Sequence, residues 1–270
     1  MLQVVILALV QGVTEFLPVS SSAHLALAPW LLGWKDQGLA FDIALHFGTL
    51  LAVLIYFFRD WLQIALQGLN LRTGPDPELG RNRALLWMLA LASLPIGFFG
   101  FLLKEHAETT WRNPFVIGST LIGVGILMWI GERVGSKRLG IEHVTWLDAF
   151  LIGCAQAVAI VPGTSRSGIT ITAGLLRNFN RASAARFSFL LSTPAIVAAA
   201  AKAFYDLHKA GGIPPSERAA FLVGISLSAI TGLATIAFFL KFIRTRSLHF
   251  FIYYRLIFGI LVIALAFFLR

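Results

Sequence analysis

The stretch QGVTEFLPVSSSAH, Gln11–His24, decides the fold. It lies within an apolar segment over residues 1–33 and interrupts it with Glu15, Pro18, three consecutive serines and His24. A second apolar segment, 146–177, is interrupted by PGTSRSG, Pro162–Gly168. Each segment is too long for one membrane span of about 20 residues and too short for two spans and a turn. A helix that enters a bilayer, breaks and leaves on the same side fits the length. Broken backbone at membrane depth survives only where protein or a water-filled cavity satisfies it.

Outward from these breaks, six stretches read as full spans: about 41–58, 84–103, 115–132, 185–204, 219–240 and 251–269. Residues 84–103, 113–131 and 219–240 contain no Asp, Glu, Lys or Arg. Composition agrees, with 57% hydrophobic and 13% charged residues among 270, where a soluble domain carries about 25% charged. The expected fold is all-α: a polytopic membrane protein of six transmembrane helices plus two re-entrant helix–loop–helix segments. No polar stretch is long enough for a soluble domain, the largest being a Gly/Pro-containing loop over 67–83. Met1–Val10 is apolar from its start and reads as part of the domain, not as a cleaved signal. The lone cysteine, Cys154, excludes an intrachain disulfide and reads as a small packing residue. The net charge of +9 sits beside apolar spans. It therefore faces lipid head groups, and nucleic acid is excluded as a partner.

The two interruptions resemble each other. Placing Pro18 on Pro162 aligns PVSSSAH with PGTSRSG, and Gln11 and Gln156 precede the prolines by similar distances. Each break is followed by three spans, so the single domain 1–270 reads as two repeats, about 1–135 and 140–270. An odd number of spans inverts the second repeat, and the breaks would then meet near the midplane from opposite faces. Of the basic residues, 14 fall on the side reached after the first span and 7 on the other. That bias makes the richer side cytoplasmic and both termini extracytoplasmic.

A charge at the centre of a spanning helix costs about 2.5–3.5 kcal/mol on insertion scales. By sequence, Glu15 is the only deep acid and Arg166 the only deep base; Asp42, Asp148 and Asp206 sit near span ends. Hydroxyls crowd the same two segments: Ser20, Ser21, Ser22, Thr164, Ser165, Ser167, Thr170 and Thr172. Each proline ends one helix, and the Ser/Thr cluster after it caps the next. New helices should start near Ser20–Ser22 and Ser165–Gly168, their N–H groups and dipoles forming anion sites. Arg166 adds a planar fork for phosphate oxygens. The expected site binds a phosphate or pyrophosphate through Ser20, Ser22, Thr164, Ser165, Arg166, Ser167 and Thr170. Ser21 is the candidate nucleophile, with Glu15 and His24 as candidate acid–base groups. Alternatively, Glu15 holds a divalent ion such as magnesium, which uses few carboxylates and takes phosphate and water as other ligands. His46, beside FGT, reads as structural.

At these residues the sequence resembles the undecaprenyl-diphosphate phosphatases of the bacitracin-resistance type. QGVTEFLPVSSSAH and PGTSRSG are similar to that family's two signatures, with weaker similarity in FDIALHFGTLLAV (Phe41–Val53), FSFLLSTPAI (Phe187–Ile196) and YRLIFG (Tyr254–Gly259). The resemblance covers essentially the whole chain. It implies hydrolysis of undecaprenyl pyrophosphate in the bacterial inner membrane, a divalent cation, Mg2+ or Ca2+, and a homodimer as a candidate assembly. It also implies roles for Glu15 as the essential glutamate, Ser21 as nucleophile, His24 as the motif histidine and Arg166 as phosphate ligand. The family often has Glu where this chain has Gln11, so Gln11 would coordinate the metal through its amide oxygen or only orient water. Ala23 stands where a Gly is common. A transporter or flippase for a lipid phosphate or another anion is the alternative, because inverted repeats with broken helices are also a transporter architecture.

Overall fold

The computed structural model describes residues 1–34, 38–71, 74–209 and 212–268. The side chains of Asp206 and of residues 39, 108, 203, 207 and 208 lie outside that description, as do Lys35, Arg72 and Arg270 of the charge count. The chain order is α1 Leu2–Thr14, α2 Ser21–Leu32, α3 Leu39–Tyr56, α4 Phe58–Gly68, α5 Pro77–Gly80, α6 Leu85–Glu108, α7 Pro114–Val134, α8 Trp146–Val158, α9 Arg166–Leu176, α10 Arg181–Lys209, α11 Arg218–Thr245 and α12 His249–Phe268. Among the described residues, the only β pairing is an isolated bridge between Leu139 and Phe179.

Five of these helices, α6, α7, α10, α11 and α12, are individually long and apolar enough to cross a membrane. The sixth expected span is α3, which turns by 71° into α4 after Tyr56. The chain is therefore a multi-pass helical membrane protein. Its exterior agrees: Phe101 is 87% exposed and Ile257 68%, as lipid-facing positions require. The expected interruptions are present, since α1 stops before Pro18 and α8 before Pro162.

Local chemistry explains the helix starts. Asn113 caps α7, accepting from the Phe115 N–H at 2.8 Å, with Pro114 in the first helical position. Thr145 and Asp148 form a reciprocal capping box on α8. The loop 67–83 is more ordered than its Gly/Pro content suggests. Asp76 caps α5, and Arg186 of α10 reaches Asp60 and Asp76, each at 2.7 Å.

The helices pair as α1 on α11, α3 on α11, α6 on α8, α7 on α12 and α3 on α10, with α9 lying among α7, α8 and α10. Small residues permit the close pairs. A Cβ at Gly118 would sit 3.0 Å from the Gly259 carbonyl, and one at Gly259 2.9 Å from that of Gly118. The backbones of α7 and α12 thus touch directly. A cluster built on Phe16, Phe57, Phe189 and Phe239 fills the centre beside the first break.

Candidate active site

Both breaks are built alike. Ser20 precedes α2 with φ 77°, and its Oγ accepts from the Ala23 N–H at 3.4 Å. Ser165 precedes α9 with φ 67°, and its Oγ accepts from the Gly168 N–H at 3.1 Å. Left-handed backbone is costly for a residue with a Cβ, yet a serine adopts it at the helix cap in both breaks. The cap follows Pro18 by two residues and Pro162 by three, so Ser20 corresponds to Ser165 and the proline-on-proline alignment is one residue out at the caps. Each cap serine also lies near the hydroxyl two residues on, Ser20 to Ser22 at 3.2 Å and Ser165 to Ser167 at 3.3 Å.

The breaks are laced together. The Gly163 N–H donates to Ser22 Oγ at 3.3 Å, and Ser167 Oγ donates to the Leu17 carbonyl at 3.1 Å. Gly163 has φ 90°, and a Cβ there would lie 2.1 Å from Thr120 Oγ1, so glycine is required on both counts.

Around this junction lies a cavity of about 170 Å³ lined by Glu15, Ser21, Ser22, His46, Ile96, Ala159, Ser165 and Arg166. Such a space holds several waters or a small anion. Glu15 is its hub. Arg166 Nη2 donates to Glu15 Oε1. Glu15 Oε2 accepts from Ser21 Oγ at 2.6 Å and from Gln11 Nε2 at 3.0 Å. The carboxylate and guanidinium that sequence places 151 positions apart are in direct contact.

The structure separates the other expected residues. Ser22 and Ser165 line the cavity with Ser21. Ser20, Thr164, Ser167 and Thr170 are buried and do not line it. Ser20 and Ser167 are occupied by the cap and lacing bonds above. Thr170 Oγ1 bonds back to the Arg166 carbonyl at 2.7 Å and meets Ser188 Oγ at 2.6 Å, fixing α9 to α10. Thr164 Oγ1 is buried without a partner.

His24 also stands off the cavity. Its Nδ1 donates to the Ser20 carbonyl at 2.7 Å, which leaves Nε2 to accept from the Tyr254 hydroxyl at 2.6 Å in the neutral ring. The ring stacks on Phe258 with centroids 5.0 Å apart. With both nitrogens engaged, His24 holds α2 against α12, and the group in contact with Ser21 is Glu15.

Two residues escape the sequence reading. His46, read as structural, lines the cavity with Nε2 3.6 Å from Glu15 Oε2, while its Nδ1 donates to the Asp42 carbonyl at 2.8 Å. Arg255, counted as a basic residue at a span end, is fully buried. Arg166 is therefore not the only deep base. The signal for each was its place within a weakly similar stretch, YRLIFG for Arg255 and FDIALHFGTLLAV for His46, to which His46 added an imidazole in an apolar run.

The cation expectation can be tested on the donors. Among the described residues, no three His, Cys, Asp or Glu side chains cluster to hold a metal. Gln11 Oε1, however, is buried without a partner, and although it is Gln11 Nε2 that faces Glu15, turning the amide over would bring the oxygen beside the carboxylate. One carboxylate and one free amide oxygen fit a hard cation that arrives on a phosphate and keeps its waters.

Residues 4–261 match the family described as Bacitracin resistance protein BacA. The chain is 46% identical to the undecaprenyl-diphosphatase of Moorella thermoacetica over 97% of each chain. It is 46% identical to that of Trichlorobacter lovleyi, over 98% of this chain and 97% of the relative. It is 45% identical to undecaprenyl-diphosphatase 2 of Stutzerimonas stutzeri over 98% of both.

Proposed function

The chain belongs to the bacitracin resistance protein BacA family, and from that premise we infer that it hydrolyses undecaprenyl pyrophosphate to undecaprenyl phosphate and inorganic phosphate. The observation that carries the chemistry is the 2.6 Å bond from Ser21 Oγ to Glu15 Oε2, with Arg166 on the other carboxylate oxygen. Ser21 Oγ attacks the terminal phosphorus, and its proton passes to Glu15. The bond from that phosphorus to the bridging oxygen breaks, and the oxygen leaves on undecaprenyl phosphate. Water then attacks the phosphoserine, Ser21 Oγ departs and takes a proton back, and inorganic phosphate is released. Arg166 has five donors, so it can bind the transferring phosphoryl oxygens while it holds Glu15. The α2 and α9 N-termini face the same charge. Ile96 and Ala159 in the cavity wall suit a substrate whose other end is hydrocarbon.

Glu15 and Gln11 would hold a divalent cation, Mg2+ or Ca2+, which would neutralise the pyrophosphate and polarise its oxygens. We read residues 1–135 and 140–270 as inverted repeats with re-entrant breaks. The matching cap geometry supports this, as does the exchange in which α1 packs on α11 and α8 on α6. With Arg255 removed from the tally, 13 basic residues remain on the richer side against 7. Both termini stay extracytoplasmic under this reading, in the bacterial inner membrane, and a homodimer is the proposed assembly.

The deciding experiment is phosphate release by purified, folded protein from a polyprenyl pyrophosphate with magnesium or calcium. Absence of release sinks the hydrolase reading. A transporter or flippase needs no hydroxyl–carboxylate pair, so lipid movement that survives Ser21→Ala would identify that activity instead.

A further inference from the structure

Arg255 lies in α12, a helix with no residue in the cavity wall, and its side chain is fully buried. Among the described residues, every hydrogen bond its guanidinium makes ends on a backbone carbonyl. Nε donates to Leu121 at 3.2 Å, and Nη1 to Pro18 at 3.3 Å. Nη2 reaches Thr120 at 3.2 Å and both Gly163 and Thr164 at 3.0 Å. One side chain thus grips the first break, the second break and α7. No carboxylate is among these partners. A buried charge without a counter-ion is expensive, and an apolar side chain of similar volume would be cheaper for stability alone.

The bonded peptides explain what the arginine does. There are no cis peptides among the described residues, and in a planar trans peptide the C=O and N–H point in opposite directions. A guanidinium that holds the Thr164 carbonyl on the α12 side turns the Ser165 N–H to the other side, where Ser165 and Arg166 line the cavity. Its grip on Pro18 fixes the turn that precedes the α2 cap. We propose that Arg255 is a positioning residue for pyrophosphate hydrolysis: by clamping the carbonyls of both breaks from behind, it aims the N–H groups at the start of α9 at the transferring phosphoryl group and keeps Ser21 in register with them.

The proposal rests on the hydrolase reading, and the test separates the two. Arg255→Lys keeps the charge, but its ammonium is a compact point donor without the planar fork and cannot hold both breaks. The measurement is kcat and KM for a polyprenyl pyrophosphate, per molecule of protein shown to be folded. We expect kcat to fall about 10²-fold, the scale of a small misalignment of reacting groups, with KM within about threefold. A purely structural role would lower the yield of folded protein and leave kcat per folded molecule near wild type, and that result overturns the proposal. Should Arg255→Lys not fold, amide hydrogen exchange on the wild type decides. Inorganic pyrophosphate should slow exchange at Ser165–Ser167, and no slowing there overturns the proposal. Wild-type protein that releases no phosphate sinks the hydrolase reading and the inference with it.

Discussion

Replacing Glu15 by Gln preserves the shape of the hub and removes its charge. Ser21 then loses the carboxylate that takes its proton, and the 2.6 Å bond between them becomes an ordinary one. A positioned proton acceptor contributes about 10²–10⁴ in rate, which is ~2.7–5.4 kcal/mol at about 1.36 kcal/mol per decade. Arg166 loses its partner in the same step. Breaking a fully buried pair costs about 3–5 kcal/mol, but the Arg166 side chain is 18% exposed and opens on the cavity. Water can therefore solvate it, so the penalty falls below that range and the protein stays folded. The assay is phosphate release under single-turnover conditions for Glu15→Gln, Ser21→Ala and the double variant. Because nucleophile and acceptor work as one unit, the double variant should be no slower than the worse single within about threefold. A Glu15→Gln enzyme with more than about a tenth of wild-type rate would refute the assignment. So would a double variant whose loss equals the product of the two single losses.

Other outcomes follow from the same geometry. His46→Ala should slow phosphate release about tenfold, less than a direct proton-transfer group would, since its Nε2 is 3.6 Å from Glu15; an unchanged rate would return His46 to a packing role. A Cβ at Gly153 would meet the Ala92 carbonyl at 2.3 Å, so Gly153→Ala should destabilise the α6–α8 pair by about 1–3 kcal/mol, read as a lower melting temperature in detergent. Burial pushes the Asp76 carboxyl up, but Arg186 and the capped N–H groups of α5 outweigh this and hold it below the usual range. Its stabilisation is therefore complete above the ordinary carboxylate pKa and is lost only as pH falls through the lowered folded value. Hydrogen exchange in the loop 67–83 should accelerate only at acid pH, and Asp76→Asn should remove that acid step.

The sequence by itself determined the membrane class, the spans and the two breaks, because these depend on local quantities: runs of apolar residues, prolines, and hydroxyls placed to cap a helix. It also brought Glu15 and Arg166 together, since two costly charges in related breaks have few other places to go. Tertiary structure alone decided which hydroxyls face the cavity. Ser21 lines it while Thr170 bonds to α10, a difference set by how each helix is rotated in its packing. The same holds for His46, brought to Glu15 by the docking of α3, and for His24, whose ring is turned toward Tyr254. Arg255 could not be read from its surroundings in sequence, because its partners are backbone carbonyls that exist as a set only once α7, α12 and both breaks have assembled. Side-chain chemistry is written in the sequence; the direction in which a carbonyl points is a property of the packed chain.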